Sequence, residues 1–310
     1  MLQRIFLGPQ RPVANLRNVA ANPELPAGSF AVISAAWQED EPYTDDVSES
    51  IGRPLVNLKL YGRAEELFVA DPRLHSAYRE RQERLMELQR LYRARLRQLM
   101  IAARHLQRSE SDAALVAPEM RHAISQIKAL DRHHCKRVEA IHASYAGAVS
   151  ANASDALAGH RAAIIEQLSA CETVLITGGN VVVLQNRMRL FGMGELIASK
   201  HLVAWSAGAM VLGEQVVLFH DRAPQNRREP EILSAGTGTV PGCVFLPDAK
   251  HRLKSGDVAR IGLLSRRFAP LRCLTLNSGS MLQFDGATLR AATDVRRLSR
   301  NHGLRRLRAS

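Results

Sequence analysis

A serine lies in a segment whose residue types suit nucleophilic chemistry. Ser206 is part of Ala204–Ala209 (AWSAGA), between the apolar runs Leu202–Ala204 and Met210–Leu212. A strand that ends in a small-x-Ser-x-Gly turn and leads into a helix is typical of a nucleophile elbow, in which the serine hydroxyl projects from the top of a sheet. Ala204 stands where the first glycine of that motif usually lies, so an ordinary strand-to-helix turn with a capping serine is the alternative.

A glycine pair follows another apolar run of the chain. Gly178, Gly179 and Asn180 come directly after the predicted strand 174–176. Glycines at a strand end allow backbone N–H groups to approach a ligand, as an oxyanion hole or an anion site requires. The alternative is a plain helix-entry turn.

A carboxylate and a histidine follow in chain order. Asp221 lies fifteen residues after Ser206, at the end of the predicted strand 216–219. A carboxylate there could orient a histidine, and the alternative is a surface turn residue. His251 follows the predicted strand 244–246, where it could act as a general base.

Taken together, these motifs resemble the S51 serine peptidase family, which includes aspartyl dipeptidase and cyanophycinase. The matching segments are Ile176–Asn180, Ala204–Ala209, Asp221 at the spacing of the family, and Gly236–Gly242 before the histidine. The resemblance covers residues 170–290, with weaker similarity over 1–60. It implies a class I glutamine amidotransferase-like α/β fold that carries serine in place of cysteine.

The resemblance also implies a role for each motif. Ser206 would be the nucleophile, and the backbone amides of Gly179 and Ala207 would form the oxyanion hole. Asp221 would orient His251, which would take the proton of the serine as an acyl-enzyme forms. Serine at this position argues against glutamine amidotransfer, which needs a cysteine of low pKa.

The implied substrate site lies around Gly178, Asn180 and Arg222. Family members often favour substrates that contain Asp, and an arginine is suited to bind a carboxylate. Further candidates for that contact are Arg227, Arg228 and Arg252. Each of these arginines has surface solvation as its alternative role.

The position of the histidine departs from the family pattern. The family usually places it directly after the proline or two residues after an aspartate, whereas His251 lies three residues after Asp248. A short insertion would restore His251 as the base. His220, beside Asp221, is another candidate for the base. The third interpretation is that the chain has no competent base.

The pattern of apolar runs predicts an α/β protein with a mostly parallel, doubly wound sheet. Residues 1–72 and 150–295 form the predicted hydrolytic core, and short strands separated by glycine and proline run through both parts. The segment 73–149 differs, because apolar residues recur at helical spacing around a break at 109–112. It predicts a helical hairpin, either a cover on the sheet or an arm that makes a homodimer or a lid.

The charge of the chain invites a nucleic-acid interpretation, which its distribution weakens. The net charge is +12, and the predicted basic tail 296–310 carries six arginines without an acidic residue. Such a tail can bind phosphates or an acidic partner. The sequence favours a solvated, frayed terminus. A platform for single-stranded nucleic acid is poorly supported, because no aromatic residues are interleaved to stack bases.

These observations predict a cytoplasmic serine hydrolase that cleaves a small peptide or amide. No apolar run is long enough to cross a membrane. The four cysteines lack metal-ligand spacing, so neither a metal nor another cofactor is expected. The alternative is a catalytically weak binding or regulatory protein that uses the pocket for a ligand and the helical hairpin for a partner.

Overall fold

The computed structural model describes residues 2–151, 155–221 and 229–308. For residues 147–151 it describes the backbone only. The strands are β1 Gln3–Leu7, β2 Phe30–Ile33, β3 Leu55–Asn57, β4 Thr173–Ile176, β5 His201–Trp205, β6 Gln215–Leu218, β7 Glu231–Ala235, β8 Cys243–Pro247, β9 Arg272–Leu276, β10 Met281–Asp285, β11 Thr288–Thr293, β12 Arg296–Ser299 and β13 Gly303–Arg306. The α-helices are α1 Leu16–Ala20, α2 Asp45–Ile51, α3 Leu60–Ala70, α4 Pro72–Gln107, α5 Ala113–Ala151, α6 Asp155–Ser169, α7 Val181–Leu190, α8 Met193–Leu196, α9 Ala207–Leu212, α10 Ala249–Arg252 and α11 Val258–Phe268, and a 3₁₀ segment spans Ala35–Asp40.

The main sheet has seven strands in the order β11-β10-β1-β5-β4-β2-β3. The five strands from β1 to β3 in that order run parallel, and β10 and β11 add an antiparallel edge beside β1. The prediction of an α/β protein with a mostly parallel sheet is therefore confirmed.

Alternation along the central strands builds a core on each face of this sheet. In β5, Leu202 and Ala204 join the larger apolar cluster, whereas Val203 and Trp205 join the smaller one. Helices α3, α6 and α7 contribute to the larger cluster, and α1 and α2 contribute to the smaller one. Strands buried on both faces read as continuous apolar runs, as the sequence of β5 does.

The C-terminal segment is not a frayed tail, so that expectation is wrong. Residues Arg296–Ser299 and Gly303–Arg306 form an antiparallel hairpin, and β12 also pairs with β9. The resulting second sheet has the order β13-β12-β9-β8. Leu298 is buried against α11 and β9, which gives the hairpin an apolar anchor that the arginine-rich sequence obscures.

Helices α4 and α5 form the long antiparallel hairpin expected from the helical spacing. Its inner side contributes Tyr92, Leu96 and Ile127 to an apolar cluster with β6, β7, β8 and α11. This part of the hairpin packs on β7 and α11, and α11 in turn packs on β9, β12 and β13 of the second sheet. The role of the hairpin as a dimer arm or a lid stays a prediction. None of the described helices is both long enough and apolar enough to span a membrane.

Candidate functional site

Ser206 occupies a strained turn between β5 and α9. Its backbone has φ 51° and ψ −114°, a region that residues with a side chain rarely adopt. Such strain costs on the order of 1–3 kcal/mol and is concentrated at functional sites. The side chain makes no capping hydrogen bond to α9, so the capping alternative does not describe this serine.

Two glycines allow the elbow to form against the end of β4. A Cβ atom on Gly178 would lie 2.8 Å from the Cβ of Ser206 and 3.3 Å from its Oγ. A Cβ atom on Gly208 would lie 2.2 Å from the carbonyl oxygen of Ile176. Both positions therefore require glycine, and Gly178 keeps the space beside the hydroxyl open.

The two amides expected to form an oxyanion hole have no acceptor. Within the described part of the chain, neither the N–H of Gly179 nor that of Ala207 donates a hydrogen bond. Gly179 adopts φ 131°, and a Cβ atom there would lie 2.6 Å from the carbonyl oxygen of Ala36. Free N–H groups beside a serine hydroxyl are what the stabilisation of a tetrahedral oxyanion requires.

A pocket of about 590 Å³ opens in front of Ser206. It lies at the carboxyl ends of parallel strands, where ligands of α/β proteins usually bind. Trp37 and Trp205 contribute apolar surface, and Arg11, Asp46 and Glu49 contribute charge. The other lining residues are Pro9, Gln10, Ala14, Leu16, Val47, Ser50, Gly178, Gly179 and Ser206.

The 3₁₀ segment beside the pocket contains a second strained residue, which the sequence analysis missed. Gln38 has φ 58° and ψ −123°, and its Oε1 accepts a hydrogen bond from Nδ2 of Asn180 at 3.0 Å. No sequence motif marks this position. The contact ties the segment that contains Trp37 to the glycine loop.

A buried carboxylate holds the far end of the same segment. Both oxygens of Glu41 accept backbone hydrogen bonds, from Tyr61 at 2.9 Å and Gly62 at 2.8 Å. Burial raises the pKa of Glu41 overall, although these bonds act in the opposite direction. Glu41 is therefore a structural anchor for the wall of the pocket.

Asn180 has a structural role at the start of α7. A helix-entry turn was the alternative interpretation of the loop that contains it. Its side-chain oxygen accepts hydrogen bonds from the amides of Val182 and Val183, which caps α7. The predicted substrate contact of Asn180 is thus in competition with a capping function. Arg222, the other polar residue of the predicted substrate site, lies outside the described residues, as do Arg227 and Arg228.

Asp221 is not the partner of His251 in this structure. Its carboxylate forms a two-point ion pair with Arg260, at 2.6 and 2.8 Å, and accepts the amide of Lys254 at 3.0 Å. The side chain of Asp221 is only 2% exposed. Although burial lowers the pKa of Arg260, contact with Asp221 raises it overall. The orienting role assigned to Asp221 by the resemblance is therefore replaced here by a structural ion pair.

His251 instead binds the aspartate at the start of its own short helix. Its Nδ1 lies 2.6 Å from Oδ1 of Asp248, a residue held at φ 55°. The imidazole is 68% exposed and makes no hydrogen bond with Ser206. Asp248 was not among the predicted site residues, and its position directly after β8 is the signal that could have found it.

Backbone contacts link the elbow to the helix of His251 across two strand ends. The amide of Ser206 donates to the carbonyl of Leu7 at the end of β1. Gly8 follows and packs directly on the carbonyl of Asn277, whose side chain accepts the amide of Lys250 at 2.8 Å. Ser206 and His251 thus belong to one edge of the molecule without being in contact.

The remaining candidates do not approach the pocket of Ser206. Nδ1 of His220 is buried and has no hydrogen-bond partner within 2–151, 155–221 and 229–308, and His220 is not among the residues that line the pocket. The guanidinium of Arg252 lies 6.0 Å from the ring centre of Phe219 and 3.7 Å from Asp248. Across 2–151, 155–221 and 229–308, no three His, Cys, Asp or Glu side chains form a group that could hold a metal ion.

No protein-family model matches the chain, and no curated protein matches it.

Proposed function

We propose that the protein is a serine hydrolase that cleaves an amide bond of a small peptide through an acyl-enzyme on Ser206. The observation that carries the proposal is the strained backbone of Ser206 beside two unengaged amides, at the rim of a 590 Å³ pocket. A strained serine with no capping function is difficult to explain by stability alone. The resemblance of these motifs to S51 peptidases is in line with the proposal, although it rests in part on the same residues.

In the proposed reaction, the hydroxyl of Ser206 attacks the carbonyl carbon of the substrate. The amides of Gly179 and Ala207 bind the oxyanion that develops, and collapse of the tetrahedral intermediate expels the amine. Water then hydrolyses the ester on Ser206 and restores the hydroxyl. The walls of Trp37 and Trp205 suit the apolar part of a small substrate.

We assign proton transfer to His251, with Asp248 in the orienting role. A hydrogen bond from Nδ1–H to Asp248 fixes the tautomer in which Nε2 is free to accept the serine proton. The two side chains are not in contact in the structure. The reaction therefore requires that His251 approach Ser206, directly or through one water, when substrate is bound.

Labelling with a fluorophosphonate tests the nucleophile. We expect the wild-type protein to be labelled at Ser206 and Ser206→Ala to lose the label, because the probe reacts only with an activated serine. The matched control is Ser50→Ala, which removes another serine of the same pocket and is expected to label as the wild type does. Intact-protein mass spectrometry with peptide mapping measures both outcomes.

Equal labelling of the wild type and Ser206→Ala would contradict the proposal. A wild-type protein that does not react at all, while remaining folded by circular dichroism, would contradict it as well.

A second candidate function is a binding or regulatory protein without efficient catalysis. The favouring observation is that none of the described residues that line the pocket of Ser206 is a histidine. Exposed apolar side chains of the helical hairpin, such as Met86, Leu91 and Leu115, are available for a homodimer or another partner. Absence of turnover on a dipeptide panel, together with saturable binding of the same dipeptides, would favour this candidate.

A further inference from the structure

The C-terminal hairpin brings arginines together instead of dispersing them. The register of β12 and β13 places Arg296 opposite Arg306, and Arg297 opposite Arg305. Like charges directly opposite each other in an antiparallel pair are destabilising. Two consecutive pairs of this kind are therefore a cost that the fold bears in the absence of an anion.

These arginines have no anionic partner in the described part of the chain. None of the side chains forms an ion pair or hydrogen bond there, and all of them are exposed; they are Arg296, Arg297, Arg300, Arg305, Arg306 and Arg308. Elsewhere in the molecule, arginines such as Arg187, Arg260 and Arg267 are paired with carboxylates. The arginines of the hairpin, unlike these, therefore keep a positive charge that no described carboxylate of the protein balances.

Two hollows lie beside the hairpin, and their described linings contain basic side chains. The hollows adjoin, have volumes of about 730 and 350 Å³, and share Arg297 and His302 in their linings. Neither lining includes an aspartate or a glutamate. Lys128 lies near Arg300 and Arg132, and burial together with the positive charge of these arginines lowers its pKa.

Edge protection explains only part of this arrangement. β13 is the edge strand of its sheet, and charged residues on an edge prevent pairing with other chains. One or two charges, of either sign, would serve that purpose. Unneutralised arginines facing each other across both strands, with more on the adjoining loop, go beyond it and favour a polyanion.

We propose that the C-terminal hairpin binds the phosphate backbone of duplex nucleic acid without sequence preference. Guanidinium groups form bidentate hydrogen bonds with phosphate oxygens, and the exposed arginines of β12 and β13 offer such contacts on both faces of the hairpin. A duplex is favoured over a single strand, because the hairpin lacks aromatic side chains on which bases stack. The inference is independent of the chemistry at Ser206.

Fluorescence anisotropy with a labelled 20-base-pair duplex tests the proposal across 50–200 mM salt. We expect the full-length protein to bind, with an affinity that falls steeply as salt rises. The double variant R297Q/R305Q should bind at least about tenfold more weakly, with a salt slope smaller by about 2, because each phosphate contact contributes about 0.9. The matched control is R95Q/R97Q, which removes two exposed arginines from α4 and should bind as the wild type does.

A second variant guards against a folding defect in the hairpin. R306Q/R308Q changes the end of β13 and the residues after it, and should weaken binding in the same direction. Thermal unfolding of each variant establishes that it is folded. Wild-type affinity in both hairpin variants would overturn the proposal, as would binding to phosphatidylserine vesicles without binding to the duplex, or loss of duplex binding in R95Q/R97Q alone.

Discussion

The elbow of Ser206 and the junction between the helical hairpin and α11 differ in whether their polar groups have hydrogen-bond partners. At the junction, Asp131 accepts hydrogen bonds from Tyr92 at 2.8 Å and from two nitrogens of Arg267 at 2.7 and 2.9 Å. Arg267 is completely buried and also donates to the carbonyl of Pro230. At the elbow, the hydroxyl of Ser206 and the amides of Gly179 and Ala207 have no hydrogen-bond partner among the described residues.

The difference separates polar groups that hold the fold from polar groups that await a ligand. A buried charge is tolerated only when its hydrogen bonds are satisfied, as those of Arg267 are. Contact with Tyr92 and Asp131 raises the pKa of this arginine, although burial alone would lower it. Gly179 is exposed and Ser206 is half-buried at the rim of the pocket, so leaving their polar groups without a protein partner is inexpensive and keeps them available for chemistry.

Removal of the carboxylate at the junction is expected to have the largest effect on stability. Asp131→Ala leaves the buried Arg267 without its counter-charge, which costs about 3–5 kcal/mol of the free energy of unfolding. Glu80→Ala, which breaks an exposed ion pair with Arg84, is the control and should cost less than about 1 kcal/mol. Urea denaturation measures both, and equal losses would remove the distinction between the two kinds of site.

Asp248 and Asp221, the two aspartates near α10, allow a catalytic carboxylate to be compared with a structural one. Asparagine tolerates the positive φ of position 248, so Asp248→Asn should keep the local backbone. The variant loses the carboxylate that contacts Nδ1 of His251, so fluorophosphonate labelling should slow by roughly 100-fold. Asp221→Asn should leave the labelling rate unchanged and lower the free energy of unfolding by about 1–3 kcal/mol, through its ion pair with Arg260. The reverse pattern would restore Asp221 to the orienting role.

The smallest expected effect concerns the strain stored at the elbow. Ser206→Gly removes the Cβ atom that disfavours φ 51°, whereas Ser206→Ala keeps it. We therefore expect Ser206→Gly to be more stable than Ser206→Ala by about 1 kcal/mol in urea denaturation, although neither variant is labelled. A less stable glycine variant would show that the backbone of Ser206 is not strained.

Local patterns made much of the α/β core predictable. The apolar runs located β4 and β5, and the small residues around Ser206 located the turn between β5 and α9. These features depend on neighbours in the chain, so periodicity and residue size reveal them. The glutamine amidotransferase-like arrangement remains a prediction from the resemblance.

Features that depend on distant partners could not be predicted. Asp221 and Arg260 are 39 positions apart in the chain. Only the folded structure shows that the carboxylate of Asp221 pairs with Arg260 and not with His251. The C-terminal hairpin was missed because its arginines resemble a solvated tail, while the single buried Leu298 and pairing with β9 order the segment. The strained Gln38 has no sequence signal at all.

The position of β1 has a consequence for how the chain is made. β1 leaves the ribosome before both of the strands that flank it, although it lies inside the sheet between β5 and β10. Its earliest strand partner, β5, follows about 200 residues later, which corresponds to roughly 10–40 s at 5–20 residues per second. During this interval both edges of β1 lack their final partners, so the nascent chain carries an apolar strand that is a natural site for chaperone binding.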